Sequence, residues 1–489
     1  MPEEKKKQSL LVSFLSVSSS KFIKYGIQLI ATMMLARFRT LEEYGTFSQI
    51  VLVTNLAISI FMMGLPNSLN FFLARAETEE EKNRFVSLYY TVNTVLSFIV
   101  GLLMVICTPL MEKYFHNKLL SSFLYFIAMY PWTKIILSSV ENLSVVYNRT
   151  KFLAAFRLTS SLVNILIILL VQWMNWTFRE YVALLLATEI IYTMVTYWFA
   201  GSNAGKLHPY FNKNLMKKIL IFSIPLGLST ACGTLRHEMD KFYIGLVMDT
   251  ERLAIYTNAA KEMPVKMIAA SITAVLLPKM AKLQKENKVK EAVKLWHDVT
   301  VFSLILNTFF AIGLFVFSKE AILVLYSKKY LPGAEVFGIY SLTYIIRSTY
   351  FGMVLNTGGN TKLILQSSII SLVVNAVMNV VCYHLFGFVG PALATVISTF
   401  AAAFYLLYHT SKHTGIPYGK IFPWKDSGII IAVNTVIGIG FYFLKSMITF
   451  SSSAMEIVFA LASAVVWAGL DFVIFRKKLT EKWKIMKKH

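Results

Sequence analysis

Apolar runs of 18 or more residues recur along the whole 489-residue chain, with short polar segments between them. Such a run is long enough for a helix that crosses the hydrocarbon core of a membrane, because a helix rises about 1.5 Å per residue. The pattern predicts an all-α polytopic membrane protein. Its fourteen transmembrane helices are expected near residues 11–37, 44–74, 85–110, 119–146, 153–173, 180–200, 216–247, 253–278, 296–318, 333–357, 362–383, 389–410, 427–446 and 453–475. Internal prolines predict kinks at Pro66, Pro131, Pro225 and Pro264.

Composition agrees with this assignment, since 56% of the residues are hydrophobic and only 15% are charged. The formal net charge of +22 would suggest nucleic acid in a soluble chain, but lysines also crowd the cytoplasmic loops of membrane proteins. No aromatic and basic RNA-binding motif occurs, so we expect no nucleic-acid partner. The three cysteines lack the spacing of metal ligands, and no phosphate-binding loop or hydrolase motif occurs. We therefore expect no metal, no cofactor and no enzymatic activity.

The distribution of Lys and Arg between alternate loops predicts the orientation of the chain. With the N-terminus inside, the inner segments carry 30 of these residues and the outer loops carry 10. The inner count includes Arg149, Lys151 and Arg157, which are assigned to one loop. This bias and the even number of helices predict that both termini are cytoplasmic.

An internal repeat is visible in the helices. "RTKFLAAFRLTSSLVNILIILL", from Arg149, aligns with "NTKLILQSSIISLVVNAVMNVV", from Asn360, at an offset of 211 residues. Matched polar positions favour duplication over chance similarity between apolar helices. Six helices separate the copies, so the two halves are expected to be related by a pseudo-twofold axis along the membrane normal. The predicted domains are residues 1–205 and 206–415, with helices 13 and 14 and a basic tail in 416–489.

Eight cations remain inside the predicted helices once the loops are subtracted. They are Lys21, Lys24, Lys134, Arg236, Lys241, Lys261, Lys266 and Arg347. The acids deep in the first twelve helices are Glu141, Glu189, Glu238, Asp240 and Glu262. Uncompensated cations inside a membrane are costly, so the net positive interior predicts a mobile anionic ligand.

Lys21 and Lys24 lie near the middle of helix 1, where a charge costs at least about 2.5–3.5 kcal/mol. With Gln28 they form a polar stripe that favours a wet cavity, although pairing with acids of the neighbouring lobe, or snorkelling of the side chains, is the alternative. Arg236 and Asp240 have the i, i+4 spacing of a structural ion pair, which is as good an explanation as a ligand role.

Three residues are candidates for ion coupling, and one surface segment is a candidate for lipid contact. Glu141 is the first acid to test for proton transfer, and His237 and Asp240 are further candidates, because a histidine titrates near neutral pH. Residues 279–296 form a basic amphipathic stretch. That stretch predicts contact with anionic membrane lipids, and a solvated helical linker is the alternative.

Three stretches resemble the polysaccharide (O-antigen/teichoic-type) flippases of the multidrug/oligosaccharidyl-lipid/polysaccharide exporter superfamily, which includes the lipid II flippase. They are "LARFRTLEEYGTFSQI", "GLPNSLNFFLAR" and "MDKFYIGLVMDTERLAIYTNAAK". The resemblance implies a monomeric protein of the bacterial cytoplasmic membrane that moves a polyprenyl-pyrophosphate-linked oligosaccharide to the outer leaflet by alternating access. It also implies that Lys21, Lys24, Lys261 and Lys266 contact the pyrophosphate.

Together, the buried charge and the resemblance give the candidate substrate-binding residues Lys21, Lys24, Lys134, Arg236, Lys261, Lys266 and Arg347. The main alternative is an ion-coupled drug/cation antiporter of the same superfamily. An antiporter of that kind would need an acidic cavity, whereas helix 1 carries lysines. An enzyme of lipid-linked sugar assembly is a further alternative, but the expected large outer loops are missing from the predicted topology.

Overall fold

The computed structural model describes residues 23–73, 75–261 and 263–488. The first half of the chain within these ranges forms helices α1 (23–38), α2 (Leu41–Phe61), α3 (Leu65–Leu73), α4 (Glu79–Ile106), α5 (Thr108–Phe115), α6 (Leu124–Leu137), α7 (Val140–Val146), α8 (Thr150–Trp173) and α9 (Phe178–Ala204). Lys21 and Glu262 lie outside the described residues, as does the side chain of Lys266.

The second half continues the helical pattern. Its helices are α10 (Lys213–Val247), α11 (Thr250–Ala259), α12 (Lys266–Lys285), α13 (Val289–Val316), α14 (Ser318–Leu325), α15 (Ala334–Ser341), α16 (Thr343–Ile346), α17 (Met353–Thr357), α18 (Thr361–Phe386), α19 (Gly390–Thr414), α20 (Tyr418–Ile421), α21 (Trp424–Met447) and α22 (Ser453–Lys488). Short 3₁₀ turns at Lys118–Phe123, Lys328–Gly333 and Gly387–Val389 link some of them.

The predicted fold class is confirmed: the chain is an all-α polytopic membrane protein. Within the described residues, nine helices are long and apolar enough to cross a membrane, or ten if the bent α10 counts as one span. Several other predicted spans are interrupted. Residues 333–357, for example, are divided among α15, α16 and α17. The count of fourteen therefore stays a prediction.

Local sequence signals explain where two of these helices begin or break. Thr40 caps α2, since its hydroxyl accepts a hydrogen bond from the Glu43 N–H while Glu43 accepts one from the Thr40 N–H. The predicted span 44–74 breaks between α2 and α3, where Met63 and Gly64 adopt positive φ angles of 46° and 72°. A Cβ atom at Gly64 would also meet the backbone nitrogen of Gly227 at 2.7 Å. Glycine is needed there for both its backbone freedom and its lack of a side chain.

The described chain divides into two compact units. Unit 1 contains the chain up to Glu238 together with Gly245–Ala254, and unit 2 contains Met239–Ile244 and the chain from Ile255 onward. The sequence-based boundaries at residues 205 and 415 and the pseudo-twofold axis stay predictions.

Each unit has its own packed apolar interior. In unit 1, buried side chains of α3, α4, α6 and α9 meet, among them Leu69, Leu88, Trp132 and Phe199. In unit 2, α13 is the central helix, and α21 and α22 pack along it around the fully buried Trp467. This packing fixes the helix faces that carry the polar side chains described next.

Candidate functional site

A polar cavity of about 400 Å³ lies inside unit 1. Five helices contribute its walls: α1, α6, α7, α8 and α9. The charged groups that line it are three cations and two carboxylates, namely Lys24, Lys134, Arg157, Glu141 and Glu189. This concentration of charge within a membrane protein marks the cavity as the candidate site.

Helix α8 supplies the longest polar face of the cavity. Arg157, Ser160, Ser161 and Asn164 line it. The two serines lie three and four residues from both Arg157 and Asn164, which places all four on one side of the helix. Because α8 begins at Thr150, Arg157 lies two turns inside the helix and its side chain is only 6% exposed. The sequence count that assigned Arg157 to a loop was therefore wrong.

Two ion pairs join charged side chains that line the cavity. Arg157 Nη2 donates to Glu141 Oε2 at 2.6 Å, and Lys134 Nζ donates to Glu189 Oε1 at 2.7 Å. The Glu141 side chain is 39% exposed, so one partner of the first pair reaches the open part of the cavity. Both pairs join residues of different helices, and each carboxylate has its own cation.

Lys24 of α1 is the third cation. Its half-buried side chain lines the cavity, and no carboxylate of the described residues lies within 4.0 Å of its ammonium nitrogen. It is repelled by Lys134 and Arg157 and attracted by Glu189 and Glu141. With two carboxylates already paired, the described lining carries a surplus of one positive charge. An anion that entered would meet this ammonium group in a poorly solvated space.

The structure places three of the sequence-derived candidates in this cavity: Lys24, Lys134 and Glu141. Arg236 and His237 are half-buried on α10 in unit 1. In unit 2, the buried Asp240 accepts hydrogen bonds from the Tyr256 hydroxyl at 3.2 Å and from the Lys241 N–H at 2.9 Å.

The remaining candidates lie at helix ends or outside the described part. Lys261 follows α11 and Arg347 follows α16, each half-buried. Lys266 is the first residue of α12, and its side chain is outside the described residues, as is all of Lys21. No cluster of three or more His, Cys, Asp or Glu side chains suited to a metal ion occurs in the described ranges.

Two charged residues of the cavity, Glu189 and Arg157, were not among the sequence-derived site residues. Glu189 was counted as a buried acid, but its partner Lys134 is 55 residues away and belongs to another helix. The repeat could have shown that Arg157 lies inside a helix. Thr150–Lys151 aligns with Thr361–Lys362, and both α8 and α18 begin at these threonines.

The chain is similar to polysaccharide biosynthesis proteins and to a probable lipid II flippase. A family model described as polysaccharide biosynthesis protein matches residues 34–335. The capsular polysaccharide biosynthesis protein CapF of Staphylococcus aureus is 25% identical over 373 residues, which cover 69% of this chain and 93% of that protein. The probable lipid II flippase MurJ of Rickettsia prowazekii is 23% identical over 300 residues, which cover 57% of this chain and 58% of that protein.

A solved structure has the same fold. It is the lipid II flippase MurJ in an inward closed conformation, which matches with a TM-score of 0.72 and covers 94% of this chain and 99% of that one. The sequence identity in this match is 16%, so the likeness establishes the architecture and the substrate must be argued from the site.

Proposed function

The chain belongs to the polysaccharide biosynthesis protein family, and from this premise we propose that it is a flippase for a lipid-linked glycan. The proposed substrate is a polyprenyl-pyrophosphate-linked oligosaccharide, a precursor of a cell-surface polysaccharide. The protein moves it from the inner to the outer leaflet by alternating access. The similarity to CapF and to a probable lipid II flippase supports this class of substrate.

The observation that carries the proposal is the surplus cation of the cavity. Lys24 has no carboxylate within ion-pair distance among the described residues, while Lys134 and Arg157 each have one. A pyrophosphate group carries several negative charges and accepts hydrogen bonds from ammonium and guanidinium groups. The polyprenyl tail stays in the surrounding lipid, so the cavity has to accept only the charged and hydrated part of the substrate.

Arg157 and Lys134 extend this binding site. A phosphate oxygen that approaches Arg157 competes with Glu141 for the guanidinium group, and the displaced carboxylate then takes up a proton or contacts water in the open part of the cavity. Glu141 is in this way the proposed ion-coupling residue of unit 1, with His237 and Asp240 as further proposed coupling residues. Lys21, Arg236, Lys261, Lys266 and Arg347 are the other proposed substrate contacts.

The same charges oppose the drug/cation antiporter alternative. A cationic drug in this cavity would be repelled by three cations, and the two carboxylates of the lining are already paired. We propose further that the protein works as a monomer in the bacterial inner membrane, with both termini in the cytoplasm. Residues 279–296 then face the anionic headgroups of the cytoplasmic leaflet.

The test is binding of a polyprenyl-pyrophosphate-linked disaccharide to the purified full-length protein, measured by native mass spectrometry. Lys24→Gln removes the surplus charge, and Lys151→Gln is the matched control, because Lys151 is an exposed lysine on α8 that does not line the cavity. We expect at least about a tenfold loss of affinity for Lys24→Gln, equivalent to about 1.4 kcal/mol, and none for the control.

Two results would overturn the proposal. Equal binding by wild type and Lys24→Gln would exclude Lys24 as a headgroup ligand. Equal binding of the disaccharide lipid and of an uncharged polyprenol would exclude recognition of the pyrophosphate altogether.

A further inference from the structure

Helix α22 carries an acid near the C-terminal end of its apolar segment. Asp471 is only 5% exposed, and neither of its carboxylate oxygens has a hydrogen-bond partner among the described residues. It lies 18 residues beyond the start of α22, and the segment Ser453–Lys482 is one of the candidate membrane spans. The carboxyl group is therefore buried in the last turns of the apolar segment, and no ion pair of the described residues includes it.

The surroundings of Asp471 are apolar on both sides along the helix. Trp467 and Phe475, one turn before and one turn after it, share its face of α22. Trp467 packs against Ile312 of α13, and Phe475 packs against side chains of α13 and α21. The polar neighbour is Asn434 of α21, whose side-chain amide faces the Asp471 carboxyl group, while its oxygen accepts a hydrogen bond from the Trp467 indole N–H at 2.9 Å.

Charged groups on the helices packed against α22 pair with residues other than Asp471. In the described part of the chain, Asp298 of α13 pairs with Lys482, Glu320 of α14 with Lys445 of α21, and Asp426 of α21 with Lys478. His297 of α13 lies 2.7 Å from the Ile421 carbonyl oxygen through its Nε2 atom. The basic residue of α22 that follows on the same face is Lys478, seven residues or about 10 Å along the helix axis.

Glu320 is a buried acid that differs from Asp471 in having a cationic partner. Glu320 is buried to the same degree, at 3% exposure, but Lys445 Nζ lies 2.5 Å from its Oε1 atom. A buried carboxylate with such a partner remains charged, whereas one without a partner takes up a proton, because an isolated charge in an apolar interior is too costly.

We propose that Asp471 is a proton-binding site, held as a neutral carboxylic acid at the interface of α13, α21 and α22. This site is separate from the cavity of unit 1 and does not depend on the identity of the transported lipid. Its proton is released only when the packing of α22 opens and admits water, so proton release reports a movement of α22 against α13 and α21.

A hydrophobic carbodiimide is a direct probe of this state. Dicyclohexylcarbodiimide reacts with a protonated carboxyl group in an apolar environment: the acid proton moves to a carbodiimide nitrogen and the carboxyl oxygen bonds to the central carbon. The acyl group then migrates to nitrogen and leaves a stable N-acylurea. We would treat the full-length protein in lipid nanodiscs at neutral pH and locate the adduct by peptide mass spectrometry.

The expected result is an adduct on Asp471 and none on Glu320, with the Asp471 adduct lost in Asp471→Asn. Lys445→Met is the positive control for access, because it removes the partner of Glu320 and should make that acid reactive. An unreactive Asp471 in the same protein in which Glu320 reacts would overturn the proposal. Protection of Asp471 by added sodium at constant pH would overturn it as well and would assign a cation site instead.

A second measurement is independent of reagent access and of the folding of the Lys445 variant. Asparagine matches a neutral aspartic acid in shape and charge, so Asp471→Asn should keep the Tm of the wild-type protein. A clear fall in Tm would show that the native structure needs the negative charge and would also refute a neutral Asp471.

Discussion

The ion pair between Arg157 and Glu141 allows a quantitative test of the cavity. We propose to replace each residue by glutamine, singly and together, because glutamine removes the charge and keeps most of the side-chain volume. The two groups are in contact at 2.6 Å between Nη2 and Oε2, and they lie on α8 and α7, which are adjacent in the chain. A double-mutant cycle isolates their interaction from the separate effects of each substitution.

The expected magnitude follows from the geometry and the exposure. Charge centres about 4 Å apart interact by about 4 kcal/mol at an effective dielectric constant near 20. Glu141 is 39% exposed, so solvent screens a large part of this energy, and we expect a coupling of about 1–2 kcal/mol. Glu141→Gln should cost about 2 kcal/mol, because it removes the carboxylate partner of a guanidinium group that is 6% exposed. Arg157→Gln should cost only about 1 kcal/mol, since the half-exposed Glu141 regains water.

Unfolding by SDS in mixed micelles gives the free energies of the four proteins on one scale. Lys151→Gln serves as the control, and a change within about 0.5 kcal/mol is expected for this exposed lysine. If the free-energy changes of the two single mutants add up to that of the double mutant, the ion pair contributes nothing to stability. A larger cost for Arg157→Gln than for Glu141→Gln would contradict the argument from burial.

Three further substitutions test the packing of the two units, each by thermal or SDS unfolding of the purified protein. Gly45→Ala should destabilise unit 1 by about 1–3 kcal/mol, because the new Cβ would lie 2.3 Å from the backbone oxygen of Thr250. An unchanged stability would mean that this contact is not present. Asn117→Ala should cost about 2 kcal/mol, since its side-chain amide donates to two buried oxygens at 2.9 and 2.7 Å, and a neutral effect would indicate that water replaces it. Lys445→Met should cost about 3 kcal/mol by leaving Glu320 buried without its cation, and combining it with Glu320→Gln should restore most of the loss.

The helices were predictable because the membrane makes secondary structure a local property. A lipid-embedded backbone must satisfy its hydrogen bonds within its own helix, so an apolar run of sufficient length specifies a helix without reference to the rest of the chain. The predicted spans 85–110 and 180–200 accordingly correspond to α4 and α9. Interruptions were harder to place. Pro264 did indicate the gap between α11 and α12, but the break at Met63 and Gly64 precedes Pro66 and depends on the close approach of Gly227.

The candidate site was predictable only in part. Sequence alone identified Lys24 and Lys134 as cations inside helices and Glu141 as an acid. A charged residue within an apolar run can be recognised without knowledge of the tertiary structure. The sequence-based prediction assigned Arg157 to a loop, and it considered buried acids only in the first twelve helices, which left Asp471 aside.

Which charges are neutralised was decided by tertiary structure. Lys134 meets Glu189 across 55 residues, whereas Lys24 has no such partner in the described chain and Asp471 has none either. The sequence by itself determined that this is a helical membrane protein, and it predicted a net positive interior. An ion pair forms over about 4 Å, and that distance is set by the rotation and packing of neighbouring helices, so the charges left over for a ligand or a proton emerge only when the helices are assembled.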